Sequence, residues 1–221
     1  MRQVGIVGVG HTKFGKTSVP FLDMLCEAAL LAMDDARSTD WRLGRDIVDE
    51  DDATELAMEL ITETSDPAWS GGARRILAGL IRHLQQMAAD SGLDWGWRDL
   101  DQLLMRPIGE LHGILRATAP ECALFLDATQ EATRKQALSF YLVLIANAGQ
   151  AVRTAARMGR DGAPSFSIRD WVRSPEPAQV LILQQAQRAP LLSGILARIV
   201  LKLIADAAVD LAAKTRIPPL W

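Results

Sequence analysis

Trp69, Ala73, Ile76, Leu77, Leu80, Leu84 and Met87 recur at steps of three and four residues, and Gly92 follows the run. Such spacing lines one face of an α-helix with apolar side chains, whereas a strand would need an alternation of two. It predicts a long amphipathic helix that stops on a glycine. Helical patterning fills the neighbouring chain as well. Asp51 or Asp52 is expected to cap a helix running to about Thr62, with Leu56, Leu60 and Ile61 on its apolar side. Trp95 to Met105, Pro107 to Ala117 and Pro120 to Ala128 read as shorter helices, their prolines standing where a first turn tolerates them. Thr129 to Met158 is a further long helical pattern, broken by Gly159 to Pro164.

Strand signals lie towards the two ends. Gln3 to Val9 (QVGIVGV) and Gln179 to Gln184 (QVLILQ) are short β-branched or aliphatic runs of the kind that make buried strands. Between the second of these and the helical middle, Ser167 is expected to cap a brief helix, SIRDWVR. Leu191 to Ala213 is long enough to cross a bilayer but carries Arg198, Lys202, Asp206 and Asp210 at four-residue intervals. Those charges form one stripe, so the segment reads as an amphipathic helix. The uncharged run Gln136 to Val152 falls just short of the roughly 18 to 20 residues that span a bilayer. The expected fold class is mainly α with a small α/β part, a helical middle between strand-bearing ends. No membrane-spanning segment and no signal peptide are expected.

A net charge of −3 on 221 residues argues against nonspecific nucleic-acid binding by the chain as a whole, and leaves room for a local basic patch. Cys26 and Cys122 are too few and too far apart for a zinc site, and read as reduced core residues of a cytoplasmic protein. His11, His83 and His112 share no metal-ligand spacing. No catalytic residue and no metal site is assigned.

Residues 10 to 18 read GHTKFGKTS, in which Gly10, Gly15, Lys16 and Thr17 fit the phosphate-loop pattern G-x-x-x-x-G-K-[ST]. In such a loop backbone N–H groups cradle phosphate oxygens, the lysine reaches the outer phosphates and the hydroxyl takes Mg²⁺. ATP with Mg²⁺ is thus the one cofactor the sequence suggests. The entering strand suits the pattern. The exit suits it less, because Pro20 pushes Val19 from helical angles and delays the helix to Phe21 through about Ala36.

Arg74, Arg75 and Arg82, with His83, fall largely on the polar side of the long helix. They form either a solvated face or a contact for phosphates or an acidic partner. Arg153, Arg157 and Arg160 are added as candidate contacts for DNA or a DNA-bound partner. Tryptophans 41, 69, 95, 97, 171 and 221 read as core or junction anchors, with Trp95 and Trp97 alternatively contacting a partner.

Two resemblances cover different stretches. The segments VGIVGVGHTKFGK and CEAALLAMDDA resemble the N-terminus of thiolase-fold acetyl-CoA acetyltransferase and lipid-transfer proteins. Cys26 does not stand at the thiolase nucleophile's place, so no thiolase chemistry carries over. From about Arg37, the ordered series DARSTDWRLGRDI, DPAWSGGARRILAGLIRHL, APSFSIRDWV and QVLILQQAQRAPLLSGILARIVLKLIADAAVDLA resembles conjugative coupling proteins of the TraD/TraG type. Those are hexameric ATPases, anchored in the inner membrane, that feed DNA to a type IV secretion channel.

The resemblance implies an all-α domain inserted into a RecA-like motor, between the phosphate loop and an acidic Mg²⁺-binding strand, and so a helical insertion domain flanked by fragments of a parallel sheet. It suggests a thiolase-like segment over 1–36, the helical domain over 37–165 and a partial RecA-like segment over 166–221. The family's acidic strand is expected just after Trp221, and the run Ala123 to Asp127 (ALFLD) only superficially imitates it. Phosphoryl transfer needs both cradle and metal ligand. The expectation is therefore a coupling-protein fragment that contacts DNA or the DNA-processing complex, oligomeric in its parent family and without ATP hydrolysis of its own. Two alternatives stay open: a small nucleotide-binding protein using Gly10 to Thr17, and a thiolase-like or recombined product without activity.

Overall fold

The computed structural model describes residues 40–158, 165–174 and 190–214. The predicted strands Gln3 to Val9 and Gln179 to Gln184, the phosphate-loop pattern and Arg160 lie outside them. The chain divides into two compact units, Arg42–Arg157 and a second formed by Met1–Trp41 with Met158–Trp221.

The first unit is helical. After a 3-10 turn at Leu43–Arg45 come α1 (Glu50–Leu60), α2 (Pro67–Ser91), α3 (Trp97–Leu104), α4 (Ile108–Thr118) and α5 (Pro120–Ala123). A second 3-10 turn, Leu124–Leu126, leads to α6 (Glu131–Leu144) and α7 (Gln150–Met158). Helix α1 begins earlier than its sequence suggests. Asp49 accepts the Asp52 N–H at 2.8 Å, and Asp52 reaches back to the Val48 and Asp49 N–H groups at 2.8 and 3.4 Å. Asp52 is therefore the return arm of a capping box and Asp49 the cap.

Helix α2 keeps its predicted form. Asp66 caps it by accepting from the Ala68 N–H at 3.0 Å, Pro67 occupies the first turn, and Gly92 ends it at φ 70°, in the left-handed region. Its buried side chains include Ala73, Ile76, Leu77, Leu80, Ile81 and Leu84, while Met87 at the far end is exposed. Helices α1, α4 and α6 pack against it. Close approach is possible because small residues interrupt the apolar stripe. A Cβ at Gly79 would lie 2.8 Å from Leu115 Cδ2 and from Cys122 Cβ.

Two predicted helices are interrupted. The pattern from Pro120 to Ala128 is helical only to Ala123 and then tightens into the 3-10 turn, so the acidic-strand imitation Ala123 to Asp127 is no strand. Asp127 fixes the exit by accepting from the Thr129 N–H at 2.9 Å. The long pattern from Thr129 to Met158 is split by a π-helical turn at Ile145–Gly149. Here Asn147 donates to the Val143 carbonyl at 2.9 Å and accepts from the Thr62 hydroxyl at 3.1 Å. A polar side chain thus ties the irregular turn to the loop before α2.

In the second unit β1 (Asp40–Trp41) pairs in parallel with β2 (Ser165–Phe166), Asp40 opposite Ser165 and Trp41 opposite Phe166. Parallel neighbours require a long crossover. That crossover is the entire helical unit, so the chain leaves and returns at adjacent strands. Helix α8 (Ile168–Arg173) carries the predicted cap, Ser167 accepting from the Asp170 N–H at 3.1 Å, and packs on α9 (Pro190–Lys214). Along α9, Ser193, Leu196, Ile199, Val200, Leu203 and Ala207 are buried. From the predicted charged stripe, Lys202 meets Asp206 at 3.0 Å and Asp210 meets Arg173 at 3.3 Å. The fold is mainly α with a small parallel sheet. Among the described residues, no helix is long and apolar enough to cross a membrane.

Candidate functional site

The three arginines singled out on α2 have different surroundings. Arg74 donates through Nε to the Ile61 carbonyl at 3.0 Å and through Nη1 to Glu63 at 2.6 Å, fastening the loop between α1 and α2. Arg82 lies between Glu50, at 2.9 Å, and Glu121 on α5. Arg75 is exposed and sits over the Phe125 ring, 5.8 Å from its centroid, a cation–π arrangement. Two of the three charges are thus met by carboxylates of the same unit.

The groups around Arg82 feel its charge. Glu121 is held below the usual carboxylate range, first by its own backbone N–H at the start of α5 and then by Arg82. Burial, reinforced by Glu121, raises the Cys122 thiol to about 11. Cys122 is thus a protonated core thiol at neutral pH. His83 Nδ1 is buried without a hydrogen-bond partner, and burial, then Arg106, lowers its pKa. Trp95 and Trp97 are each 4% exposed and belong to the core. Trp95 accepts from the Gly44 N–H at 3.0 Å and fills the space a Gly44 side chain would need.

Arg153 and Arg157 stand four residues apart on α7, which places them on one side of the helix. The other side buries Ala151, Val152, Ala155 and Ala156. Arg153 Nε lies 3.6 Å from Asp101 and its Nη2 is 3.2 Å from the Met105 sulfur. Arg157 is exposed and, among the described residues, has no carboxylate partner. Acidic side chains outnumber basic ones between Arg42 and Arg157, with Glu50, Asp51 and Asp52 together in the first turn of α1. Any attraction for a polyanion is therefore local to a face such as that of α7. The partners of Arg82 lie 32 residues before it and 39 after it, beyond what helical spacing reveals.

The helical unit lies in sequence between two strands that pair in parallel. The profile of the type IV secretion-system coupling protein DNA-binding domain matches residues 15–218, and the chain belongs to that family. The match begins inside the stretch that resembles the thiolase N-terminus, which itself precedes the described residues. Among solved structures, the bacterial conjugative coupling protein TrwBdeltaN70, in its unbound monoclinic form, is similar with a TM-score of 0.57. The two share 19% identity over 79% of this chain and 39% of that one, a likeness of fold. The chain thus spans well under half the length of that relative. No curated protein matches it by sequence.

Proposed function

We propose that the chain serves conjugation as the binding part of a coupling protein, its helical unit meeting DNA or the DNA-processing complex without hydrolysing ATP itself. The observation that carries this reading is the family match across residues 15–218. The α7 face supports it physically, since Arg157 is exposed beside Arg153, and Arg160 follows in sequence. Arg74, Arg75 and Arg82 are further contacts in this reading; Arg74 and Arg82 hold carboxylates, as Arg153 does through Asp101, whereas Arg157 has none among the described residues. The domains divide as 1–36, 37–165 and 166–221, and the working form is a cytoplasmic homo-oligomer.

DNA affinity of the full chain then falls linearly with salt on logarithmic axes, by about 0.9 in slope for each phosphate neutralised. Replacing Arg153 and Arg157 by glutamate lowers both affinity and slope in fluorescence anisotropy titrations. An affinity indifferent to salt rejects an electrostatic contact.

A second reading rests on the letter-for-letter match of Gly10, Gly15, Lys16 and Thr17 to a phosphate loop. It predicts that ATP with Mg²⁺ raises the melting temperature and that Lys16→Ala abolishes the rise. The binding-only reading predicts no rise in either protein.

A further inference from the structure

Between the 3-10 turn Leu124–Leu126 and helix α6 lies an open cleft of about 130 Å³. Leu124, Phe125, Ala137 and Phe140 make it apolar, and Thr133 and Gln136 complete its lining. The turn presents Leu124 outward, 75% exposed, while Leu126 two residues later is fully buried and anchors it. The aromatic wall is fixed as well. Phe140 packs against Trp69 at 5.1 Å between ring centroids and against Phe125, edge to face, at 5.4 Å. Phe125 in turn carries the Arg75 guanidinium, which among the described residues has no carboxylate partner, unlike those of Arg74 and Arg82. An apolar recess and a guanidinium without a carboxylate partner among the described residues thus share one ring.

We infer that this cleft docks a protein segment, receiving one apolar side chain while Arg75 receives a carboxylate from the same segment. Its size suits a single aliphatic anchor, being well below the roughly 300 to 1,000 Å³ of a pocket for a whole small molecule. An apolar anchor in a preformed recess with a charge at its rim is the usual arrangement of a protein contact. Nucleic acid fits less well. The recess lies in a unit where carboxylates outnumber cations, and its walls are mostly apolar. The inference stands apart from the α7 arginines and does not require the DNA contact proposed above.

The test is selection of displayed random short peptides on the full chain, followed by anisotropy measurements with the selected peptides. The expected consensus places an aliphatic residue within a few positions of aspartate or glutamate. Arg75→Glu weakens those peptides by about fivefold and turns a repeat selection towards basic sequences. Leu124→Ser, an exposed substitution that leaves the melting curve unchanged, weakens them too. The inference is overturned by selection without a shared motif, by a basic motif on the unaltered chain, or by peptides indifferent to both substitutions. Displacement of the peptide by a single-stranded oligonucleotide would assign the cleft to nucleic acid and overturn it as well.

Discussion

Gly79 sits where helix α2 meets Leu115 of α4 and Cys122 of α5, and a side chain there would press on both. Gly79→Val is expected to destabilise the chain by roughly 1 to 3 kcal/mol, read from the midpoint of urea denaturation, because a packed interior absorbs added volume poorly. At His83 the effect is on pH dependence. Its folded pKa is lowered by burial and Arg106, so as pH falls below about 6.5 the unfolded chain takes the proton first. Stability therefore declines from that point towards acid, and His83→Gln flattens this part of the profile. A profile of unchanged slope in His83→Gln would show that other groups set it. Neither role was legible beforehand. Sequence shows a small residue and a histidine on a helix, but the atoms that crowd them come from segments distant in the chain.

Helix α1 depends on reciprocal hydrogen bonds at its start. Asp49→Ala removes the side chain that accepts from the Asp52 N–H, and is expected to cost about 1 kcal/mol, with faster amide exchange in the first turn. Asp52→Ala, losing the return arm to the Val48 N–H, exposes the same turn by another route. Periodicity located α2 and its Gly92 stop because apolar spacing and a left-handed terminus are local properties. It located α6 and α7 only as one helix. The π-helical turn between them is held partly by Thr62, 85 residues before Asn147, and no window along the sequence contains both. Likewise β1 and β2, two residues each, are too short to alternate visibly and exist through their pairing.

At the scale of the whole chain, the helical residues Arg42–Arg157 and the strand-bearing segments form two compact units. Asp40–Trp41 and Ser165–Phe166 pair in parallel, and the helical unit lies between them in sequence. The family resemblance was legible because four sequence stretches occur in a set order, and residues 15–218 match the family. The proposed DNA contact was less legible. Charge spacing marks Arg74 and Arg82 on α2 as strongly as Arg153 and Arg157 on α7, yet Arg74, Arg82 and Arg153 are engaged by Glu63, by Glu50 with Glu121, and by Asp101. Of the four, only Arg157 has no carboxylate partner among the described residues.

The central claim is that recognition resides in the helical unit. The most direct measurement is photocrosslinking of the full chain to single- and double-stranded DNA at low salt, with the attached peptides mapped by mass spectrometry. Attachment within Arg42–Arg157, concentrated on α7 around Arg153 and Arg157 and lost when both are made glutamate, is the predicted result. Attachment confined to residues outside that unit, or equal attachment after the double reversal, would contradict it.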